Sequence, residues 1–306
     1  MATIDNSGFG GLCGSETAAF AATERESVPN RRDAAADPNQ PGFDAGSRQL
    51  MGLVKAIEGE IVPRLVLSRR AARRAAGANA AEDAVPDDDN VTELAMMLLK
   101  HDASVALAYV ESIRDVGAPL GAIYLNLLAP AARRLGELWH EDRCTFVEVT
   151  LGLCSLHQVL RSLSPQFVGQ AGAAGRGKRI LLVPAPGEQH TFGLMMVVEF
   201  FRRSGWDVRY QVAEYVDDLM RLVRGEWFSV IGLSVGCETR IESVAPAIRS
   251  LRRASCNHGL GVMVGGSIIN ARPDLVPLMG ADATAGDGLH AVQQAERVVN
   301  LLTAQE

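Results

Sequence analysis

Cysteine is sparse and unpatterned in this chain. Cys13, Cys144, Cys154, Cys237 and Cys256 are odd in number, scattered, and contain no Cys-x-x-Cys pair. That usage excludes a disulfide framework and a cysteine-built zinc site, and it fits a reducing compartment. Aromatic residues make up only 5% of the sequence, so the apolar content comes from Ala, Leu and Val, as in helices packed closely beside an α/β sheet. Positive charge is not in excess. A net charge of -6 and an isoelectric point near 5.6 argue against binding nucleic acid by bulk electrostatics, leaving only a local basic patch open. No apolar run reaches about 18 residues, and the amino end has no charged region followed by an apolar core and a cleavage site. A cytoplasmic protein with no membrane association is expected. The 306 residues give room for about two domains.

Residues 1–46 are rich in Gly, Ala, Ser, Asn, Pro and charge without a sustained period. They cannot bury enough surface to offset the entropy of ordering, so disorder is expected. From Ser47 to Ser68, apolar residues fall at Leu50, Leu53, Val54, Ile57, Ile61, Leu65 and Val66, the spacing of an amphipathic helix with a bend at Pro63. Arg69, Arg70, Arg73 and Arg74 extend it to residue 76. They read either as a face for DNA phosphates or, more commonly for so short a run, as a solvated helix end. Residues 77–90 read as linker.

Residues 91–168 are helical by pattern. Asp102 caps one helix that ends at Gly117, and Pro119 opens another that runs to Trp139 with a kink at Pro130. Thr145 and Glu148 have capping-box spacing, opening a helix that Pro165 should stop. Glu148 is thus a cap rather than a catalytic acid, and His157 a packed or surface histidine. Four such helices make a small bundle. After a Gly/Ala tether over 169–178 the period changes. Strands near 179–183, 207–212, 228–233, 260–264 and 281–285 alternate with helices near 192–204, 216–224, 240–253, 272–279 and 288–302. The expected architecture is α + α/β: a four-helix bundle, then a Rossmann-like (flavodoxin-like), doubly wound, parallel five-stranded domain over 179–306.

The stretch Pro184 to Gly193 sits between the first strand and the next helix, on a loop at the carboxyl end of the sheet. Ligands bind there in open α/β sheets. Gly193 lets a bulky ligand approach the backbone. Glu188 stands two residues before His190, so its carboxylate can hold one ring nitrogen and leave the other for a metal. On general grounds a loop histidine satisfied by a neighbouring acid is the commoner explanation of a lone Glu-x-His. The glycines after the later strands are what any nucleotide-binding sheet shows.

Three elements in order resemble the cobalamin-binding domains, which carry Asp-x-His-x-x-Gly, then Ser-x-Leu, then Gly-Gly on successive loops. Here they read Glu188-Gln189-His190-Thr191-Phe192-Gly193, Ser234-Val235-Gly236 and Gly265-Gly266. Glu188 stands where Asp is usual, and Gly236 where Leu is usual. The resemblance implies cobalamin, with His190 as lower cobalt ligand and Glu188 tuning it. It also implies Ser234 facing the displaced base, and Gly265, Gly266, Gly286 and Gly288 leaving room for the nucleotide tail.

The wording Gly-Glu-Gln-His-Thr-Phe-Gly, with Cys144-Thr-Phe-Val-Glu-Val-Thr150, is similar to the AerR/PpaA antirepressors of photosynthetic bacteria. Trp139-His140 resembles the Trp-His of CarH-type light sensors, which implies Trp139 over the corrin and His140 as candidate upper ligand. Those sensors carry Glu-His where this chain has Val149-Thr150, which implies a preference for hydroxocobalamin or an already photolysed adenosylcobalamin. The family reading is a non-enzymatic regulator that binds a CrtJ/PpsR-type repressor, reaching DNA indirectly. A corrinoid carrier subunit of a methyltransferase system and a heme-binding redox sensor are the alternatives.

Overall fold

Asp87 opens the first helix through a reciprocal cap: its carboxylate accepts from the Asn90 amide and its own amide donates to Asn90 Oδ1, each at 3.0 Å. The computed structural model describes residues 85–169 and 177–304, all within one compact unit. The expected tail, the amphipathic helix, most of the linker and residues 170–176 of the tether lie outside those residues. Helix α1 (Asp88–Lys100) begins inside the stretch read as linker because that cap satisfies its end. Helix α2 (Ala103–Asp115) is capped by Asp102, and Gly117 at φ 107° reverses the chain after it.

The third helix starts as one turn, Leu120–Ala122, widens into a π segment, Ile123–Leu128, and continues as α3 (Ala129–His140). The kink expected at Pro130 takes this form: proline lacks the N–H for a regular bond, and the widened turn just before it absorbs the mismatch. Helix α4 (Phe146–Val168) has the Thr145–Glu148 capping box and runs through Pro165 instead of stopping there. Its last turn is held by Phe167, fully buried and stacked on Tyr124 with centroids 4.1 Å apart. Burying such a ring is worth about 3 kcal/mol, comparable with the roughly 3 kcal/mol a proline costs inside a helix.

Five strands follow, all parallel: β1 (Arg179–Pro184), β2 (Asp207–Tyr210), β3 (Val230–Ser234), β4 (Gly261–Gly265) and β5 (Ala283–Thr284), in the spatial order β2-β1-β3-β4-β5. The connecting helices are α5 (Phe192–Arg203), α6 (Val216–Gly225), α7 (Ile241–Ala254), α8 (Ser267–Ala271), α9 (Leu275–Met279) and α10 (Gly288–Thr303). Strand residues alternate between two cores. Ile180 and Leu182 join α5, α10 and the bundle, whereas Leu181 and Val183 face α6, α7 and α9. β2 and β5 are shorter than their apolar runs because they are the edges, bonded on one side only. The helix expected over 272–279 is shortened to α9, which begins only after Pro273, and the short helix α8 precedes it outside the expected range.

The bundle meets the sheet domain along α4 and α5. His157 packs edge-on against Phe192 at 5.0 Å, and Ser164 donates to the buried Glu199. Both pairs have the same sequence separation, so the two helices run parallel. The first turns of α4 therefore project about 16 Å beyond the start of α5, at 1.5 Å per residue.

Candidate functional site

Chain order reverses between β1 and β3, because β2 lies on the outer side of β1. The helices that follow β1 and β3 pack on opposite faces of the sheet, α5 in one core and α7 in the other. A switch point of this kind is where a ligand crevice forms at the carboxyl ends of the strands in open α/β sheets. Pro184, Ser234 and Gly265 end their three strands in mutual register and form its floor. The β1 loop turns at Gly187, φ 75°, with Glu188 N bonded to Ala185 O at 2.7 Å. That turn sends Glu188 inward and His190 outward.

Glu188 is 4% exposed, and four donors meet its carboxylate. Oε1 accepts from the amides of Gln189 at 2.8 Å and His190 at 2.9 Å, and from His190 Nδ1 at 2.6 Å. Oε2 accepts from the Gly236 amide on the β3 loop at 2.8 Å. Burial works against the charge, but the hydrogen bonds from the His190 ring, the His190 amide and the Gly236 amide outweigh it. They hold the carboxyl at about 2, below its ordinary 4.5. The same contact raises His190 above its ordinary 6.5, the hydrogen bond to Glu188 outweighing the cost of burial. An ionised carboxylate only accepts, so Nδ1 carries the proton and, in the neutral ring, Nε2 keeps its lone pair on a side chain 60% exposed. Such an imidazole is suited to hold a metal. Among the described residues no cluster of three or more His, Cys, Asp or Glu forms a metal site.

The glycines divide by cause. Gly193 sits on the exposed first turn of α5 with open space where a side chain would be. Gly286 is likewise open, and at Gly265 a Cβ would meet only Ala285 O at 3.8 Å. Gly266 has φ 110°, and a Cβ there would lie 2.2 Å from Val235 O, so backbone packing alone demands glycine. At Gly288 a Cβ would strike the Phe200 ring at 2.4 Å, a contact between α10 and α5.

Trp139 is half-buried in the last turn of α3 and packs against Phe146 with centroids 6.4 Å apart; His140, next to it, is exposed. Phe146, Thr150 and Leu153 lie on the stripe of α4 that lower down carries His157 and Ser164 against α5. Above the start of α5, Phe146 on that stripe is 64% exposed. Val149 turns into the bundle, 7% exposed, and Thr150 spends its hydroxyl on Phe146 O at 2.7 Å. His157 Nδ1 bonds Leu153 O at 2.9 Å, as befits a packed histidine. Sequence reasoning missed the Gly236 amide and the projecting stripe. The stripe is legible in its helical spacing, but its exposure depends on where α5 begins.

The B12 binding domain family model matches residues 178–296. A Rhodobacter capsulatus protein, described as an uncharacterized 20.5 kDa protein in the bchF-crtJ intergenic region, is 30% identical over 178 residues, covering 58% of this chain and 92% of that protein. The Methanosarcina barkeri monomethylamine corrinoid protein has the same fold, with TM-score 0.59 at 14% identity, covering 71% of this chain and all of that one. A cobalamin-binding protein from Desulfitobacterium hafniense aligns with TM-score 0.38 and 16% identity, over 70% of this chain and 99% of that one.

Proposed function

Because the chain belongs to the family of the Rhodobacter capsulatus bchF-crtJ intergenic protein and carries a B12-binding domain, we propose that it is a cobalamin-dependent, light-responsive antirepressor. Its target is a CrtJ/PpsR-type repressor, through which it controls photosystem and tetrapyrrole genes; it is a binding protein and not an enzyme. The observation that carries the reading is the Glu188–His190 pair at the sheet's switch point, an imidazole with Nδ1 tied to a buried carboxylate and Nε2 open. Support for the regulatory role comes from the relative whose name places its gene beside crtJ.

The residues present fit the cofactor. His190 would hold the cobalt from below, and Glu188 would fix its ring and keep the Nδ1 proton. Gly193 leaves a bulky ring access to the backbone. Phe146, Leu153 and Trp139 would cover the upper face and exclude water, with His140 beside them as candidate upper ligand. Cobalamin would supply a metal centre whose upper ligand is lost on illumination. Hydroxocobalamin, or a photolysed adenosylcobalamin, suits an upper face that offers Thr150 with its hydroxyl already engaged.

The test is titration of the purified protein with hydroxocobalamin and with adenosylcobalamin, dark and illuminated, followed by binding of the repressor to its DNA. Saturable corrin bands and light-dependent change in repressor occupancy are expected. Corrin binding without any effect of light or on the repressor, together with methyl transfer through a partner methyltransferase, would replace this reading with a corrinoid carrier. A Soret band on heme addition without corrin binding would replace it with a heme sensor.

A further inference from the structure

Arg240 closes the short turn Glu238–Arg240 that leads from the β3 loop into α7. Its guanidinium rests against the Gly187 turn, with Cζ and both terminal nitrogens 3.0 to 3.1 Å from where a Gly187 Cβ would be. Any side chain at residue 187 would push it away, so the two loops flanking the switch-point crevice are fitted to one another around this cation. Its Nε is buried without a hydrogen-bond partner. The nearest site carboxylate, Glu188, is already engaged by four donors. The other acids close in sequence, Glu238 and Glu242, make no ion pair with it among the described residues. A half-buried guanidinium whose Nε is buried without a partner, and which forms no ion pair among the described residues, has given up hydration at that nitrogen without recovering it. The geometry that recovers it best is a phosphate, which accepts from two of its nitrogens.

We propose that Arg240 is an anion-binding residue of the crevice and takes the phosphodiester of the corrinoid's nucleotide tail. This rests on the cobalamin reading above and deepens it. The rim of a corrin is fringed with neutral amides, so the phosphodiester is the group on the ligand that an unpaired cation can select. Arg240 thereby makes the site selective for complete corrinoids that carry the nucleotide tail over truncated ones that lack it.

The experiment compares the affinities of wild type, Arg240→Gln and Arg240→Lys for hydroxocobalamin and for cobinamide, which lacks the phosphate and nucleotide. Binding is followed by the corrin absorption bands, with circular dichroism confirming the fold. Arg240→Gln should lose roughly 10- to 100-fold for hydroxocobalamin, the range of a charge-assisted hydrogen bond, and nothing for cobinamide. Arg240→Lys should recover part of the loss. Equal losses for both ligands would make Arg240 a mere prop for the Gly187 turn and overturn the inference, as would unchanged affinity for hydroxocobalamin. Added inorganic phosphate should not improve cobinamide binding; a gain that Arg240→Gln abolishes would assign the cation to free phosphate instead. Failure of the wild type to bind either corrinoid would overturn the cobalamin reading itself, a result distinct from all of these.

Discussion

The Gly236 amide donates to Glu188 Oε2 across the switch point at 2.8 Å, while Oε1 of the same carboxylate holds His190 Nδ1 at 2.6 Å. The imidazole is thus anchored to two loops at once, and its orientation depends on the pairing of β1 with β3 as well as on its own loop.

His190→Ala removes the imidazole held on that anchor. Cobalamin binding should be abolished or fall below detection by absorption titration, with the far-ultraviolet circular dichroism spectrum unchanged. Retained affinity and an unchanged corrin spectrum would remove His190 as ligand.

Glu188→Gln keeps the size of the side chain but gives up the charge that receives Nδ1–H. Loss of a partner of this kind lowers metal affinity about 10- to 100-fold. Isothermal titration with hydroxocobalamin measures it, and wild-type affinity would show that the carboxylate does not tune the ring.

The same pair sets a pH window for stability of the cofactor-free protein. Glu188 is depressed from 4.5 to about 2, so its contribution is complete above about 4.5 and is lost as pH falls toward 2. His190 is raised, so its share is complete below its ordinary 6.5 and is lost as pH rises through the raised value. The difference in urea midpoint between wild type and Glu188→Gln should therefore be greatest between those bounds, smaller at pH 3, and smaller again once the pH has risen past the raised value of His190. A difference independent of pH would contradict the pair.

Gly236→Leu places a Cβ 3.1 Å from His190 Cβ and 3.4 Å from Glu188 Oε2. Overpacking of this sort costs about 1 to 3 kcal/mol of stability, and turning the His190 ring out of its place on Glu188 would relieve it, so cobalamin affinity should fall. Equal affinities would mean that the close approach around His190 is not needed for binding.

His140→Ala tests the exposed end of α3. In the hydroxocobalamin form the variant should differ from wild type in its corrin absorption and in repressor affinity. Identity on both measures would leave His140 as a surface residue beside Trp139.

The sequence alone set the order of elements, the change of period at the tether, the caps at Asp102 and Thr145, and the loop that carries His190, because each depends on residues close together in the chain. It also exposed Glu188 and His190 as a pair, since a separation of two residues lets one turn join them. The continuation of α4 past Pro165 was not legible, because it rests on Phe167 stacking on Tyr124 from another helix. Nor were the shortened edge strands, which depend on having one neighbour rather than two. The reasons for the glycines divide in the same way. A pattern of glycines after strands is visible in the chain, yet only folding reveals that Gly266 yields to Val235, that Gly288 yields to Phe200, and that Gly193 and Gly286 face open space. Tertiary structure likewise decided that the Gly236 amide would complete the Glu188 site and that Arg240 would lie on Gly187 with its Nε buried and unpartnered. Those groups are far apart along the chain and meet only because parallel pairing of β1 with β3 brings their carboxyl-end loops together.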